Sequence, residues 1–475
     1  MTIEEELFLL LAENLQLRAE NQGLRGQVGE LERQVSELKA ELTKGRGDPP
    51  SFLRANRPRR EDPKPARKKR ASEHNRVRRR ETPTRTVLHA YERCPDCNYG
   101  LTGETLDRVR QVIELPEPRP VEVIEHRVIK RYCPSCECYK SPPLDLSGEV
   151  LGQGRMGVRL ASLVAYLRIT LRLPIRQIQS YLETIHRLKI SVGEIVYLLR
   201  QVREATKASV ENLRDEVRKS KVLHADETSW REDGQNGYIW SFSTPGSPGG
   251  DGKDAIRYYE RDQSRGQPVV RRILGNQFKG TLVSDFYVGY NDYECNKQRC
   301  WSHLLRDLHD LKEAHQGEAH QEAEDLETVK WAQAVRALYD EAFLATEPRP
   351  SQEEREKRYV SLVERTHALG LEHARDQAHP TWALCKRLLR HEDELFQFVL
   401  VEGLASNNNL AERSIRPLVV IRKISGGSRS GSGSKTTMSL ASLLETWRVR
   451  GLNPFTECLT LLSQKPAQMP LPSPA

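Results

Sequence analysis

Residues 221–242, KVLHADETSWREDGQNGYIWSF, place the strongest limits on how this chain folds. An apolar run at 222–225 is followed by a polar, Gly-containing turn at 233–237 and by a second run, 238–242, rich in residues that suit a pleated strand. The pattern predicts a β-hairpin. Asp226 falls inside the first predicted strand, where Asp is disfavoured. This carboxylate either caps the following turn or binds a metal, and the segment alone does not decide between the two.

A second acidic residue follows the same pattern, and a third lies on a predicted helix. Residues 280–293, GTLVSDFYVGYNDY, contain an apolar strand followed by Asp285. In 406–416, SNNNLAERSIR, the Ser and Asn residues offer N-caps to a helix that carries Glu412. A simple helix salt bridge between Glu412 and Arg416 is the alternative. Two strand-borne aspartates and one helix-borne glutamate suit Mg²⁺, and two such ions about 4 Å apart can catalyse phosphoryl transfer.

Four motifs, in this order, resemble the insertion sequence 66 family of transposases. They are HADETSW, SDFYVGYN, QRCWSHLLRDL and NNNLAERSIRP, the last followed by RKISGGSRSGSG, and the resemblance covers residues 90–460. It implies an Asp-Asp-Glu site on an RNase H-like fold, with Asp226, Asp285 and Glu412 as the catalytic triad. The cofactor would be two Mg²⁺ ions, which Mn²⁺ can replace. Ser229 stands where the family pattern has Gly, but Ser is also small.

Charge is unevenly distributed along the 475 residues. The net charge is +8, yet residues 46–93 hold 16 Lys or Arg against 6 Asp or Glu, a local charge of +10. We expect the Pro-rich basic segment 43–90 to be disordered on its own and to bind DNA phosphates; a solubilising linker is the alternative. No apolar run approaches the roughly 18 residues of a membrane span. We therefore expect a bacterial cytoplasmic, nucleoid-associated protein without a membrane partner.

Residues 4–42 have the heptad pattern of a leucine zipper. One seam consists of Leu10, Leu17, Leu24, Leu31 and Leu38, and the other of Leu7, Asn14, Asn21, Val28, Val35 and Leu42. Val at position a with Leu at position d favours two strands, and Asn at a selects the dimer. The pattern predicts a coiled-coil homodimer or higher oligomer; an amphipathic helix packed on its own protein is the alternative.

The cysteine spacing predicts a zinc-binding domain at 91–145. Nine cysteines in a cytosolic chain favour metal binding or free thiols over disulfides. Two Cys-x-x-Cys knuckles are formed by Cys94, Cys97, Cys133 and Cys136. The segment between them, 109–132, alternates around a Pro-rich turn and predicts the hairpin of a zinc-ribbon-like domain with a structural Zn²⁺. Cys138 is an alternative ligand to Cys136, and four incidental thiols are the alternative to a zinc site.

Residues 155–218 are predicted to be helical. Ser191 with Glu194 forms a capping box for the last long helix. Two helices joined by a short turn predict a helix-turn-helix whose Ser191 helix reads the DNA major groove. A plain helical hairpin that braces the catalytic domain is the alternative.

The predicted catalytic domain spans 221–463. A third strand in AIRYYE, a helix in GQPVVRRILG and the strand before Asp285 follow the hairpin, which is the order of an RNase H-like sheet with its first and fourth strands side by side. The charged segment 313–400 is predicted to be a helical insertion between the last strand and the Glu412 helix. The whole chain is thus predicted to be a multidomain α/β protein.

Cys300, Trp301 and His303 are predicted to be a structural or DNA-contacting element close to the site. Cys300-x-x-His303 resembles half a zinc site, but no second pair lies nearby in the sequence. Trp301 is predicted to be in the core; stacking on an unpaired base is the alternative.

The C-terminal part carries a predicted DNA-binding surface. Its basic residues are Arg413, Arg416, Arg422, Lys423 and Arg429. GGSRSGSGSKTT is not a phosphate-binding P-loop, because Ser434 separates Gly433 from Lys435; we expect a flexible loop that contacts DNA. The Pro-rich tail, 464–475, is predicted to be disordered.

The sequence thus predicts a DNA transposase that binds the inverted repeats of its element, cleaves the 3′ ends and transfers them to target DNA, with possible help from accessory proteins of the same element. Two alternatives remain at this point: a DNA-binding regulator on an inactive nuclease scaffold, and an RNase H-like nuclease acting on hybrids or junctions.

Overall fold

The computed structural model describes residues 81–118, 120–246, 252–276, 278–316, 323–344, 346 and 350–464. The chain divides into two units, residues 1–114 and 115–475. The predicted zipper at 4–42, the basic segment 43–90 up to residue 80 and the tail after residue 464 lie outside the described residues.

In the described part of the first unit, a tight turn surrounds the first cysteine pair. The amide of Cys94 donates to the carbonyl of Tyr99 at 2.8 Å, and the amide of Asn98 donates to the carbonyl of Cys94 at 2.9 Å. An antiparallel bridge joins Arg93 and Gly100 on either side. The turn therefore presents Cys94 and Cys97 from one short, hydrogen-bonded loop.

The second unit begins with a short hairpin at the second cysteine pair. Strands β1 (Arg131–Cys133) and β2 (Cys138–Lys140) are antiparallel, with Cys133 opposite Cys138. The hairpin predicted at 109–132 is wrong, because none of its described residues before Arg131 lies in a strand. Its apolar side chains are largely exposed, for example Val123 at 86%, and a two-stranded hairpin without a covering layer is marginal in water.

A five-stranded mixed sheet forms the centre of the second unit. Its strands are β3 (Val222–Glu232), β4 (Gln235–Ser243), β5 (Arg257–Asp262), β6 (Thr281–Ser284) and β7 (Asn296–Arg299), in the order β5–β4–β3–β6–β7. Strand β4 is antiparallel to both β3 and β5, whereas β6 is parallel to β3 and to β7. The predicted hairpin and the predicted adjacency of its first strand with the Asp285 strand are both confirmed.

The hairpin turn explains why β3 and β4 pair in this register. Asp233 and Gly234 both have positive φ, 50° and 78°, which is the conformation of the two central residues in a type I′ turn. The second strand therefore starts at Gln235, three residues earlier than the apolar pattern indicates. Buried Trp230 and Trp240 anchor the hairpin in the core.

Helices cover the sheet and share one apolar core with it. Before the sheet come α1 (Val158–Ile169), α2 (Ile175–His186), α3 (Val192–Ala205) and α4 (Lys207–Lys219), and α5 (Gln267–Leu274) connects β5 to β6. After the insertion come α11 (Asn409–Ser425), α12 (Gly431–Val449) and α13 (Pro454–Leu462).

Helix α3 is positioned against helix α12. The Ser191 hydroxyl accepts the amide of Glu194 at 3.1 Å, as its capping role predicts. Arg203 Nη1 donates to the Ser432 carbonyl and to Thr436 Oγ1 of α12, each at 3.3 Å. These contacts favour the bracing role for this helix pair over a free recognition helix.

The inserted helices form a second hydrophobic cluster. They are α6 (Trp301–Ala314), α7 (Ala323–Leu344), α8 (Gln352–Glu372), α9 (Trp382–Leu395) and α10 (Gln397–Leu400). Val283 of β6 and Trp301 belong to the same cluster, so the insertion is packed directly against the sheet. Within the described ranges, no helix combines the length and apolarity that crossing a membrane requires.

The segment expected to be a flexible loop is ordered and largely helical. Helix α12 begins at Gly431 with Ser430 as N-cap, whose side chain accepts the amide of Gly433. The preceding residues are fixed to the hairpin turn, since the Ser428 amide donates to the Arg231 carbonyl at 2.9 Å and the Asp233 amide donates to the Ser428 carbonyl at 2.9 Å. Ser is a preferred N-cap residue, so Ser430 indicates the start of a helix. The many Gly residues around it favoured the loop prediction instead.

Candidate active site

Asp226 and Asp285 lie at the same edge of the sheet. The parallel pair β3–β6 aligns His224 with Val283, so the two aspartates are both two residues further along. Neighbouring strands are about 4.8 Å apart, which makes the two side chains neighbours across the sheet. The topology therefore brings together two carboxylates that are 59 positions apart in the sequence.

Backbone amides fix each aspartate. Asp226 Oδ1 accepts the amide of Glu227 at 2.9 Å, and Asp285 Oδ1 accepts the amide of Tyr287 at 3.0 Å. Both side chains are partly exposed, whereas the residues before them, Ala225 and Ser284, are fully buried. The carboxylates are thus partly accessible to solvent, although the residues that precede them in the strands are buried.

Glu412 completes the group from helix α11. It lies in the first turn of the helix, which packs on β3, and the partial positive charge of a helix N-terminus favours an acid there. His303 Nε2 of α6 is 3.8 Å from Glu412 Oε1. The helix salt bridge with Arg416 is not among the ion pairs of the described residues, which favours a site role for this glutamate.

The three carboxylates act on one another electrostatically. Burial raises the pKa of Asp226 to about 7, and repulsion from Glu227, Asp285 and Glu412 adds to the effect. A cluster of like charges of this kind is costly without a counter-ion and is typical of a functional site.

Asn408 connects the Glu412 helix to the Asp226 strand. Its Nδ2 donates to the Ala225 carbonyl at 2.7 Å, its Oδ1 lies 3.2 Å from His224 Nδ1, and its amide donates to Cys300 Sγ at 3.1 Å. The side chain does not cap its own helix. The sequence pattern suggested an N-cap, whereas the structure uses this buried amide to set the position of Glu412 relative to Asp226.

Cys300 and His303 support this arrangement, and Trp301 lies in the core. Burial acts to raise the pKa of the Cys300 thiol, but hydrogen bonds with His303 and Asn408 outweigh it and lower that pKa. The contact with Cys300 raises the pKa of His303, and Asp285 and Glu412 add to it. Trp301 is 1% exposed and its Nε1 donates to the Leu395 carbonyl at 2.6 Å, so base stacking would require it to leave the core.

Glu227 is a buried acid that sequence reasoning missed. Its Oε1 accepts Arg265 Nε at 2.9 Å and Nη2 at 2.7 Å, and its Oε2 accepts the Tyr290 hydroxyl at 2.5 Å. Burial raises its pKa in spite of these partners. Arg265 also lies over the Tyr287 ring, 3.9 Å from its centroid. The sequence feature that could have identified it is its place directly after Asp226, since even a single acidic residue is unusual within a strand.

The donor set fits a hard divalent cation. Asp226, Asp285 and Glu412 offer only carboxylate oxygens, the ligands that Mg²⁺ prefers. Burial is the main cause of the raised pKa of Asp226, and repulsion from Asp285 and Glu412 contributes to it; a bound cation would offset that repulsion. Glu227 is engaged by Arg265 and Tyr290, so it is less suited to act as a ligand.

The five basic residues of the C-terminal part differ in their surroundings. Arg413, Arg416, Lys423 and Arg429 are exposed. Arg422 instead holds α11 on β3, since its Nη1 donates to Thr228 Oγ1 at 3.0 Å and to Ser229 Oγ at 2.6 Å. The small residue at position 229 therefore accepts a hydrogen bond that the expected Gly side chain could not provide.

The cysteine knuckles are considered separately because they belong to different units. In the first, hydrogen bonds from the Cys97 and Asp96 amides lower the pKa of Cys94. In the second, the Cys136 amide lowers the pKa of Cys133. Both thiols are thus biased towards the thiolate that zinc binds, which fits the predicted ligand role.

Comparison with known proteins places the chain in a family. The model of the family described as "Transposase IS66 family" matches residues 153–436, well over half of the chain. The chain belongs to this family of transposases. The match spans β3, β6 and the first turns of α12, so it includes all three carboxylates of the site.

One curated relative is the uncharacterized protein y4qI of Sinorhizobium fredii. It is 24% identical over 241 residues, which cover 48% of this chain and 44% of the relative. The chain thus spans less than half of that relative's length.

Proposed function

We propose that this member of the IS66 transposase family is the DNA-cleaving and strand-joining enzyme of its element. It would bind the terminal inverted repeats, hydrolyse the 3′ ends and join them to target DNA. The observation that carries the proposal is the meeting of Asp226, Asp285 and Glu412 at one edge of the sheet, because this carboxylate group suits the metal-dependent chemistry of phosphoryl transfer.

The sheet order supports an RNase H-like catalytic domain. Three antiparallel strands, a connecting helix and a fourth strand beside the first place both aspartates on adjacent strands. The helical insertion then returns the chain to α11, so that Glu412 approaches the same edge. This architecture would explain why the acids are far apart in sequence.

The side chains divide the work between binding and positioning. Asp226, Asp285 and Glu412 would hold two Mg²⁺ ions, or Mn²⁺ in their place. When bound, these ions activate the attacking water or 3′-hydroxyl and stabilise the leaving oxygen. Asn408 and His303 would keep Glu412 facing the aspartates, through the contacts at Ala225 and at Glu412 Oε1.

DNA contacts would come from several parts of the chain. The exposed Arg413, Arg416, Lys423 and Arg429 flank the site on α11 and on the turn that follows it, and the basic segment 43–90 would bind phosphates along the duplex. The zipper at 4–42 would pair two protomers so that two ends are processed together. The cysteine knuckles would bind structural Zn²⁺.

The direct test is cleavage of a labelled duplex that carries the inverted repeat from the flank of the gene. Wild-type protein with Mg²⁺ should cut at the tip of the repeat, and Asp226→Asn should bind the same duplex without cutting it. Asp340→Asn is the matched control, because Asp340 is exposed on α7 and pairs only with Arg336 among the described residues. Specific binding by wild type with no cleavage would favour a regulatory protein instead.

A further inference from the structure

A second cluster of metal-ligating side chains lies in the helical insertion, built from residues that the proposed function does not use. Glu327 of α7, His373 at the C-terminal end of α8 and His379 in the α8–α9 connection each offer a ligand atom, and these atoms lie within 4.8 Å of one another. His373 Nε2 is 3.8 Å from Glu327 Oε1. Among the described residues, this is the one such group of three found.

Two buried imidazole nitrogens point to a ligand at this cluster. His379 is 7% exposed, and its Nε2 and that of His373 are buried without a hydrogen-bond partner among the described residues. The rings are stacked, with centroids 3.6 Å apart and planes 3° from parallel. A buried polar atom without a partner lowers the stability of the folded protein by about 1–3 kcal/mol. Two such nitrogens in neighbouring rings therefore call for an explanation.

Neighbouring groups hold the cluster in place. Trp331, one turn after Glu327, donates from Nε1 to the Leu369 carbonyl at 3.0 Å and so fixes α7 against the end of α8. His379 Nδ1 lies 2.8 Å from Thr381 Oγ1, and the Thr381 amide donates to the same nitrogen at 3.3 Å. In the tautomer that donates from Nδ1 along the shorter contact to the hydroxyl, Nε2 carries the lone pair that a metal ion needs. A hydrogen bond from the other ring nitrogen is usual for a metal-bound histidine.

We propose that Glu327, His373 and His379 bind a divalent transition-metal ion, with Zn²⁺ as the best match, and that this ion fastens α7 to the α8–α9 connection. Two imidazole nitrogens and one carboxylate oxygen are a zinc donor set, with the fourth position left to water. This set differs from the all-carboxylate group at the sheet edge, which suits Mg²⁺.

Metal binding would change the geometry in one defined way. Zinc bonds of about 2.0–2.1 Å place two tetrahedral ligand atoms about 3.4 Å apart with converging lone pairs, whereas stacked rings direct their lone pairs side by side. The rings must therefore tilt towards each other when the ion binds. Glu327, which is exposed, has the freedom to close the remaining distance.

The test counts zinc in the full-length protein. Wild type, Glu327→Gln, His379→Gln and a control are purified, equilibrated with Zn²⁺, freed of excess ion and analysed by mass spectrometry for metal per chain. His367→Gln is the control, because His367 is an exposed histidine of the same helix α8 that pairs with Glu392. The cysteine knuckles are unchanged in all four proteins, so differences in zinc content report on this cluster.

We expect both ligand variants to hold about one zinc fewer per chain than wild type and the control, since loss of a ligand should weaken binding by more than about 100-fold. Added Zn²⁺ should also raise the Tm of wild type more than that of Glu327→Gln. Glu327 is exposed, so its variant keeps the test valid if His379→Gln fails to fold. Equal zinc content and equal Tm shifts in wild type and Glu327→Gln would overturn the proposal.

Discussion

The carboxylate group at the sheet edge and the histidine pair of the insertion lie in one unit and differ in how they are built. The first consists of acidic side chains, where burial and then repulsion between neighbouring acids raise the pKa of Asp226 to about 7. The buried side chain of Asn408 links its helix to the central strand. The second consists of two stacked imidazole rings at the end of α8 and in the connection that follows it. The comparison teaches that charge repulsion marks a site for a hard cation, whereas buried nitrogens without partners mark one for a softer ion.

The largest expected effect is a loss of DNA cleavage in Glu412→Gln without any change at the histidine cluster. Glu412→Gln removes one ligand of the proposed Mg²⁺ pair but keeps the size of the side chain, so cleavage of the repeat end should fall by more than about 10³-fold. Zinc content and DNA affinity should stay at wild-type values. Cleavage is measured on the labelled duplex; a rate within tenfold of wild type would show that Glu412 is not part of the site.

Asn408→Ala should disturb the position of Glu412 relative to Asp226, because Asn408 links the two elements that carry them. It leaves the Ala225 carbonyl and His224 without their contacts at a buried position, which should cost about 1–3 kcal/mol of unfolding free energy and lower cleavage by about 10–100-fold. Denaturant unfolding and single-turnover cleavage measure the two effects. Asn407→Ala is the control, because among the described residues Asn407 Oδ1 accepts only the nearby amide of Asn409. Equal losses of cleavage in both variants would argue against a positioning role for Asn408.

Asp226→Asn should stabilise the protein in the absence of divalent cations. The folded-state pKa of about 7 lies above the ordinary value of 3.8, so wild type loses stability as the pH rises from 4 to 7 and carries the full penalty above 7. The gain in unfolding free energy of the variant over wild type should therefore be absent near pH 4 and at most about 4 kcal/mol above pH 7. The measured gain should be smaller than this limit, because the side chain is partly exposed.

Thermal unfolding in EDTA across this pH range measures the effect. Addition of Mg²⁺ should reduce the difference by stabilising wild type alone. A variant that is less stable than wild type at pH 8 in EDTA would contradict the repulsion on which the hard-cation site depends.

The smallest effect should distinguish two arginines of α11. Arg422→Ala removes hydrogen bonds to Thr228 and Ser229 and should lower the unfolding free energy by about 1–2 kcal/mol. Arg416→Ala, on the exposed side, should leave stability unchanged and reduce the salt dependence of DNA binding by about one charge. Unfolding and binding titrations at several salt concentrations test both, and the reverse pattern would exchange the two roles.

Much of the catalytic unit could be predicted because its signals are local. The hairpin at 222–243 follows from strand composition and an Asp-Gly turn, and the helix α5 follows from its apolar face and Pro at its start. Strand β7, in contrast, has the sequence NKQR and gives no apolar signal. It forms because Arg299 is buried against Glu394 of α9, with Nε 2.6 Å from Oε2, a contact between residues 95 positions apart.

The three carboxylates of the site could be predicted from the sequence, but the residues that position them could not. Asp226, Asp285 and Glu412 stand out because each interrupts a pattern, whereas the links made by Asn408 and Glu227 depend on which elements meet in space. The histidine cluster has the same limitation, since Glu327 and His379 are 52 positions apart and neither belongs to a recognisable motif. The hairpin expected at 109–132 failed for the opposite reason, because a local alternation found no layer to cover it.

The central claim is that the sheet-edge carboxylates bind the metal ions that act on DNA. The most direct measurement is cleavage by Asp285→Cys in Mg²⁺ and in Mn²⁺, since a thiolate binds Mn²⁺ better than Mg²⁺. The claim predicts that cleavage is lost in Mg²⁺ and partly restored in Mn²⁺, while wild type cleaves in both. Cleavage by Asp285→Cys at the wild-type rate in Mg²⁺ would contradict it.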